Sequence, residues 1–146
     1  MRSKGVSTQA SYPLDGVALY PPLGMLAWMG CFGVNGLLIG PEFGPHHHLS
    51  AIFTSIENLP ISETNEHELI EDFCKSCQIC VKECPGQAIY RERIIHENGS
   101  MTYIEDEKCF PPFYKQHGCS VCIKVCPFNQ SEYQKVKNSF DKGNSE

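Results

Sequence analysis

At residues 74–85 the chain reads Cys74-Lys75-Ser76-Cys77-Gln78-Ile79-Cys80-Val81-Lys82-Glu83-Cys84-Pro85. Two, two and three residues separate its four cysteines, and a proline follows the last one. The pattern returns 42 positions later (77 to 119, 84 to 126), as Cys119, Cys122, Cys126 and Pro127. Its first cysteine is missing there, because position 116 is Gln116, and the nearest spare cysteine is Cys109. The stretch therefore indicates one supersecondary unit used twice.

The cysteine content requires a chemical explanation. The chain has 146 residues, of which nine are cysteine, 41% are hydrophobic and 20% are charged. Disulfides, zinc and iron–sulfur clusters are the three candidates. Arg2 and Lys4 are not followed by the apolar run of about 7–15 residues that marks a secretory signal. We therefore expect a cytoplasmic protein whose reduced thiols bind metal.

The spacing of Cys74, Cys77, Cys80 and Cys84 resembles the cysteine run of bacterial ferredoxins. Three cysteines two residues apart can wrap one corner of a cuboidal cluster, and the proline turns the chain away after the fourth. Zinc sites also use paired cysteines. They need neither a third cysteine nor a fourth cysteine followed by proline, and both features occur in each of the two runs. The motif favours two [4Fe–4S] clusters that move electrons one at a time.

In two-cluster ferredoxins the fourth cysteine of each run binds the other cluster. This crossing predicts two ligand sets. Cluster one takes Cys74, Cys77, Cys80 and Cys126; cluster two takes Cys84, Cys119, Cys122 and, by elimination, Cys109. The crossing should hold the two halves together and make the domain depend on its metal.

The predicted fold is α+β, a bis-[4Fe–4S] ferredoxin-like domain with a pseudo-twofold repeat. An N-terminal segment occupies residues 1–70, the cluster domain residues 71–130, and a helix with a polar tail residues 131–146. Periodicity and turn residues predict the elements. They are helices at Glu66–Phe73 and Gln130–Phe140 (Tyr133, Val136 and Phe140 on one face) and strands at Arg91–His96 and Met101–Asp106 around the turn Glu97-Asn98-Gly99-Ser100.

The uncharged stretch Leu23–Gly40 approaches the length of a membrane span. Pro21 and Pro22 precede it, and glycines at 24, 30, 33, 36 and 40 interrupt it. We therefore predict no membrane span, but a helix at Leu23–Met29, a buried Gly-rich turn and a strand at Leu37–Ile39.

Several residues outside the ligand sets suggest a role by their type or position. Cys31 is interpreted as a small buried hydrophobe, and His46-His47-His48 as a surface turn after Pro45. The aromatic side chains between Cys109 and Cys119 are expected to shield cluster two from water. They are Phe110, Phe113 and Tyr114. The net charge of −5 and the absence of a basic patch make nucleic-acid binding by this chain alone unlikely and favour a basic redox partner.

Two flanking segments resemble a larger family. The stretch Gly30-Cys31-Phe32-Gly33-Val34-Asn35-Gly36-Leu37-Leu38-Ile39-Gly40-Pro41-Glu42-Phe43-Gly44 is similar to a segment of cobalamin-dependent epoxyqueuosine reductases and of reductive dehalogenases. The second run, Gly118–Asn129, resembles the ending of the same reductases, whose second run also has its first cysteine displaced upstream. The resemblance implies that residues 1–70 correspond to the end of a cobalamin-reductase domain and that the clusters feed electrons to a cobalamin.

The chain departs from that family in three ways. Most of the cobalamin-binding part is expected to be missing, so the preceding segment resembles a truncated reductase-like domain. Val34 occupies the position of the family's usual lysine. Asp15 lies one residue out of register with the proton donor of one branch, so it is only a weak catalytic candidate, and Tyr12 and Tyr20 are weaker still.

We therefore expect an electron-transfer module that serves a redox partner protein or a missing catalytic domain. The alternatives are a truncated reductase that itself binds cobalamin, a cluster-stabilised structural module, and a zinc protein. The apolar surface at residues 23–39 is expected to bind a partner or a second copy of the chain.

Overall fold

The computed structural model describes residues 5–12, 17–60 and 62–143. The predicted mixture of helices and small sheets is confirmed. The elements, in chain order, are β1 (Thr8–Ser11), α1 (Tyr20–Leu26), β2 (Cys31–Phe32), β3 (Leu38–Ile39), β4 (Ala51–Thr54), α2 (Leu69–Cys77), α3 (Ile79–Lys82), β5 (Ile89–Ile95), β6 (Met101–Ile104), α4 (Asp106–Lys115), α5 (Val121–Lys124), α6 (Pro127–Gln130) and α7 (Tyr133–Gly143).

The strands form three antiparallel pairs in the described part of the chain, β1 with β4, β2 with β3, and β5 with β6. The pairing of β1 with β4 was not predicted. Its register runs from Thr8 opposite Thr54 to Ser11 opposite Ala51. Both strands are four residues long, and β1 has no alternation of apolar and polar residues, so pattern reasoning gave no signal.

The N-terminal segment contains the predicted helix and strand. α1 begins at Tyr20, three residues before the predicted start, because Pro21 and Pro22 fit the first turn of a helix. β3 confirms the predicted strand, and β2 pairs with it in the register Cys31 to Ile39. The turn between them closes with hydrogen bonds from Gly33 N to Leu37 O and from Gly36 N to Gly33 O, both 2.9 Å.

The helix predicted at Glu66–Phe73 lies farther along the chain. α2 begins at Leu69 and includes both Cys74 and Cys77. It ends at Gln78, whose φ of 53° is left-handed, and α3 starts directly afterwards. The first half of the cysteine run is therefore helical, whereas the prediction ended the helix before it.

The hairpin of β5 and β6 confirms the predicted strands and turn, although β5 begins at Ile89. His96 N donates to Ser100 O (2.9 Å) and Gly99 N to His96 O (2.8 Å). Gly99 has a φ of +79°, which a residue without Cβ adopts at little cost.

Two helices, rather than the single helix predicted at Gln130–Phe140, close the chain. α6 covers Pro127–Gln130, Ser131 is extended, and α7 then runs to Gly143. The predicted face of α7 is confirmed, since Val136 is buried, Tyr133 packs against the core and Phe140 lies 5.6 Å from Phe73, ring centre to ring centre.

The hydrophobic core lies around two of the cysteines of the repeat. Its buried members are Cys31, Ile39, Ile70, Cys74, Cys126, Phe128 and Val136. Only Ile39 and Ile70 are large side chains with almost no exposure among the described residues. No helix of the described part of the chain is long and apolar enough to cross a membrane.

The N-terminal segment meets the cluster domain at Gly44. Its φ is +56°, and a Cβ there would overlap the carbonyl group of Phe128. We expect Gly44→Ala to lower the free energy of unfolding by about 1–3 kcal/mol, through both backbone strain and overpacking. Thermal unfolding of the metal-loaded protein, followed by circular dichroism, measures the loss. The control is Gly143→Ala, where nothing lies within 4 Å, and equal losses in the two variants would contradict the prediction.

Candidate metal centre

Four cysteines meet beside the core, two on α2 (Cys74 and Cys77), one on α3 (Cys80) and one directly before α6 (Cys126). Burial raises the pKa of the Cys74 thiol to about 12, against a hydrogen bond from the Val34 backbone that lowers it. The charges of Cys126, Cys80 and Cys77 add to the rise. The neighbours of Cys74 are thus the three residues that the crossing rule assigns to cluster one.

The same four thiols line one small cavity. The other side chains around it are mostly apolar, among them Val34, Ile39, Phe73 and Pro127. Cys74 and Cys126 are buried, while Cys77 and Cys80 are half-buried. Apolar walls of this kind keep water from a metal site and influence its reduction potential.

A second set of thiols lies where α4 meets the first cysteine run. Burial is the largest cause that raises the pKa of Cys109, and the charges of Cys84 and Cys119 are the next two. Burial also raises the pKa of Cys122, and Cys119 and Cys84 contribute to the rise. A Cβ on Gly86 would overlap the Lys108 carbonyl, so this close approach holds α4 next to Cys84.

The two sets are neighbours. Burial raises the pKa of Cys80 to about 12, and the charges that add to the rise are those of Cys126, Cys122 and Cys77. Cys122, a member of the second set, therefore raises the pKa of two thiols of the first set, Cys80 and Cys126. Contacts between α3 and α5, at equivalent places in the two cysteine runs, bring the sets together.

Backbone N–H groups lower the pKa of several of the thiols. Hydrogen bonds from Val34 to Cys74, from Val81 to Cys80 and from Ile123 to Cys122 each lower the pKa of the thiol. Those from Phe128 and Asn129 do so for Cys126. Donors of this kind stabilise thiolates, the form of cysteine that binds iron. Eight thiols in two sets, with amide donors and an apolar cavity, therefore fit a pair of iron–sulfur clusters.

The structure confirms the interpretation of Cys31 as a small buried hydrophobic residue. It is 7% exposed and packs in the core, where Asn65 Nδ2 donates a hydrogen bond of 3.2 Å to its Sγ. His46 and His48 are exposed, which agrees with a surface turn. Among the described residues, no group of three or more His, Cys, Asp or Glu side chains could hold a single metal ion.

The sequence offers three weak catalytic candidates, Asp15, Tyr12 and Tyr20. Asp15 lies outside the described residues. Tyr12 is exposed, whereas Tyr20 is buried and its hydroxyl is hydrogen-bonded to that of Ser11.

The expected shielding of cluster two by aromatic side chains is wrong. Phe110, Phe113 and Tyr114 are 63%, 49% and 74% exposed, and the rings of Phe110 and Tyr114 stack on each other 6.2 Å apart. These residues lie on α4, which holds Cys109 half-buried and leaves its aromatic residues in solvent.

Sequence reasoning missed two residues of this region. The Val34 amide is directed at Cys74, and the Gln78 side chain is bonded to three carbonyl groups around the first run. Neither residue type suggests a metal site. Only their positions, in the Gly-rich turn and between two cysteines, could have drawn attention to them.

Residues 73–129 match the family described as a 4Fe-4S double cluster binding domain. A tetrachloroethene reductive dehalogenase of Desulfitobacterium hafniense is 31% identical over 125 residues, which cover 76% of this chain and 22% of that protein. An epoxyqueuosine reductase of Listeria monocytogenes is 32% identical over 111 residues, 71% of this chain and 28% of that protein. The chain thus spans about a quarter of the length of the curated relatives that it matches.

Solved structures share the fold. A catabolic reductive dehalogenase superposes with a TM-score of 0.76 at 24% identity, covering 94% of this chain and 21% of that one. The epoxyqueuosine reductase from Streptococcus thermophilus gives 0.59 at 20% identity, covering 88% and 35%. The match to a 4Fe-4S double cluster binding domain thus lies in residues 73–129, and the predicted resemblance to both groups of reductases is confirmed.

The ninth cysteine provides a matched test of the ligand sets, because Cys31 and Cys126 are equally buried members of one core. We expect Cys126→Ser to lower the iron content of the anaerobically purified protein by about half, since four irons belong to each cluster. Cys31→Ser should leave it unchanged. Iron and acid-labile sulfide per chain are the measurements, and loss of iron in the Cys31 variant would contradict the prediction.

Proposed function

We propose that this chain is an electron-transfer module that holds two [4Fe–4S] clusters and delivers electrons one at a time to a reductase. The observation that supports it best is the grouping of eight thiols into two neighbouring sets of four. Four thiolates are the ligand set of one such cluster. In this proposal Cys74, Cys77, Cys80 and Cys126 hold cluster one, and Cys84, Cys109, Cys119 and Cys122 hold cluster two.

Each cluster, when bound, accepts and releases one electron at low potential. The residues of the chain provide its surroundings. The amides of Val34, Phe128 and Asn129 offset the negative charge on the cluster-one thiolates. The core residues Ile39 and Phe128 exclude water from that side. Cluster two, beside exposed α4, is more open to a partner.

The repeated cysteine run supports a pseudo-twofold arrangement of the two cluster halves. α3 and α5 have equal lengths, lie 42 positions apart (79 to 121) and pack together. We place the cluster domain at residues 71–130, between an N-terminal segment and the α7 tail, and expect the whole to work in the cytoplasm.

The electron acceptor is a reductase, present either as a separate protein or as a further domain. Similarity to reductive dehalogenases and epoxyqueuosine reductases supports this choice. The same similarity supports the second candidate function, a truncated reductase of that class that binds cobalamin itself. The exposed side chains of α1, such as Leu23 and Leu26, offer a surface for that partner or for a second copy.

Anaerobic purification followed by metal analysis tests the function. We expect about eight irons and eight sulfides per chain, no cobalt, and interacting cluster signals in the EPR spectrum after reduction with dithionite. Stoichiometric cobalt would instead favour the cobalamin-binding alternative. Zinc without iron would refute both.

The crossing of ligands can be tested within the first run. We expect Cys80→Ala and Cys84→Ala, four residues apart, to remove different clusters, because Cys80 neighbours Cys126 whereas Cys84 neighbours Cys109. Each variant should keep about four irons. The EPR signals that survive in the two variants should differ, and identical surviving signals would rule the crossing out.

The exposed aromatic residues of α4 suit contact with a basic redox partner. Phe110 and Tyr114 flank the half-buried Cys109, and the preceding Asp106 and Glu107 form no ion pair among the described residues. An aromatic patch with an acidic border, beside a metal site, favours a partner with a basic rim.

Electron transfer to cytochrome c, a basic haem protein used here as a probe, measures the contribution of this patch. We expect Phe110→Ala with Tyr114→Ala to lower the second-order rate constant by about two- to tenfold, the equivalent of the roughly 0.5–1.5 kcal/mol of one aromatic contact. The control is Ile52→Ala, which alters a similarly exposed residue of β4. Equal rate constants in both variants would show that electrons leave elsewhere.

A further inference from the structure

Gln78 occupies an unusual position between two cysteines of the first run. It follows Cys77, ends α2 and precedes α3. Its φ of 53° and ψ of 15° are left-handed, which is uncommon for a residue other than glycine. A long side chain at such a position requires an explanation beyond backbone geometry.

The amide nitrogen of Gln78 binds three backbone carbonyl groups. Nε2 lies 3.3 Å from Cys74 O, 3.3 Å from Lys75 O and 3.1 Å from Arg91 O. The first two belong to the last turn of α2, where Cys74 O also accepts a hydrogen bond from Gln78 N (3.4 Å), and the third belongs to β5. The side chain thus ties the cysteine-bearing helix to the hairpin.

These contacts also fix which way the amide points. If the group were rotated by half a turn, Oε1 would face three carbonyl oxygens, and no hydrogen bond could form. Nε2 must therefore occupy this side, and it cannot donate to a cluster sulfur.

The oxygen of the same amide is buried without a donor. Gln78 Oε1 is the only buried side-chain oxygen or nitrogen of the described residues that has no hydrogen-bond partner. Gln78 also lines the small cavity of Cys74, Cys77, Cys80 and Cys126. A buried acceptor of this kind is costly, and such groups are found where strain or chemistry requires them.

We propose that Gln78 is a positioning residue that lowers the reduction potential of cluster one, by holding an unpaired amide oxygen at the wall of its cavity. This inference rests on the proposed function, because it requires a cluster in the site. Reduction of a [4Fe–4S]²⁺ cluster by dithionite adds one electron, and hence one negative charge. The negative end of a fixed, buried amide dipole opposes that charge more strongly than it would in water.

Two substitutions should act in opposite directions. Gln78→Met removes the dipole at similar length, so the potential of one cluster should rise. Gln78→Glu places a carboxylate there, so the same potential should fall. In each case we expect an about three- to tenfold change in the ratio of reduced to oxidised cluster at a fixed potential, where tenfold is 59 mV for one electron. EPR-monitored redox titration of the anaerobic protein provides the measurement.

Gln87 offers a matched control. It also has a left-handed φ, of 50°, but it is exposed. Gln87→Met and Gln87→Glu should leave both cluster potentials unchanged, because water screens a dipole or charge there.

The outcomes separate a role in the potential from a structural one. Opposite shifts of a single cluster in the two Gln78 variants would support the inference. Unchanged potentials, shifts in the same direction, or loss of about four irons from both variants would overturn it, the last because Gln78 would then serve only to hold the cluster. An unsubstituted protein without iron would instead refute the proposed function, before any variant is compared.

Discussion

The crowding of eight thiols in one small region is the constraint on which the rest of the structure depends. Each thiol either has its pKa raised by neighbouring cysteines or contributes to such a rise. Eight neighbouring thiolates would repel one another. The arrangement becomes favourable when bound metal balances their charge, and the match of residues 73–129 to a 4Fe-4S double cluster binding domain agrees with this.

The rest of the fold has a small hydrophobic core and small sheets. In the described part of the chain, Ile39 and Ile70 are the largest fully buried side chains, and each sheet has two strands. A core of this size supplies little stability, as in other small domains that rely on metal. Close backbone contacts compensate in part. Glycine at positions 30, 44 and 86 lets backbone approach backbone where a Cβ would overlap a carbonyl group.

The sequence was informative where local chemistry determines structure. The hairpin of β5 and β6 was predicted because Asn98-Gly99 has the turn chemistry that its strands require. The buried face of α7 followed from periodicity. Prediction failed where distant parts of the chain decide. β1 pairs with β4 across some forty residues, and α4 contains Pro111 and Pro112, which argue against a helix in isolation.

In the candidate metal centre, too, some features could be predicted from the sequence and others could not. The cysteine spacing predicted the cluster type, because iron–sulfur ligation leaves a specific pattern in sequence, and the flanking segments predicted the resemblance to reductases. Exposure has no such signature. Phe110 and Tyr114 were expected to cover a cluster, but an aromatic residue on a short helix can face either way, and packing leaves these in solvent. Gln78 was overlooked because its role depends on where one amide oxygen is buried.

The N-terminal segment is part of the surroundings of cluster one rather than an appendage. The Val34 amide bonds to Cys74, Ile39 belongs to the same core as Cys126, and Gly44 packs on Phe128. The similarity to reductases extends over 111 to 126 residues, well beyond residues 73–129. The N-terminal segment is therefore part of that similarity. Because it places an amide donor on a cysteine, any change in its position alters the field at the sulfur atom, and through it the cluster that the sulfur would hold.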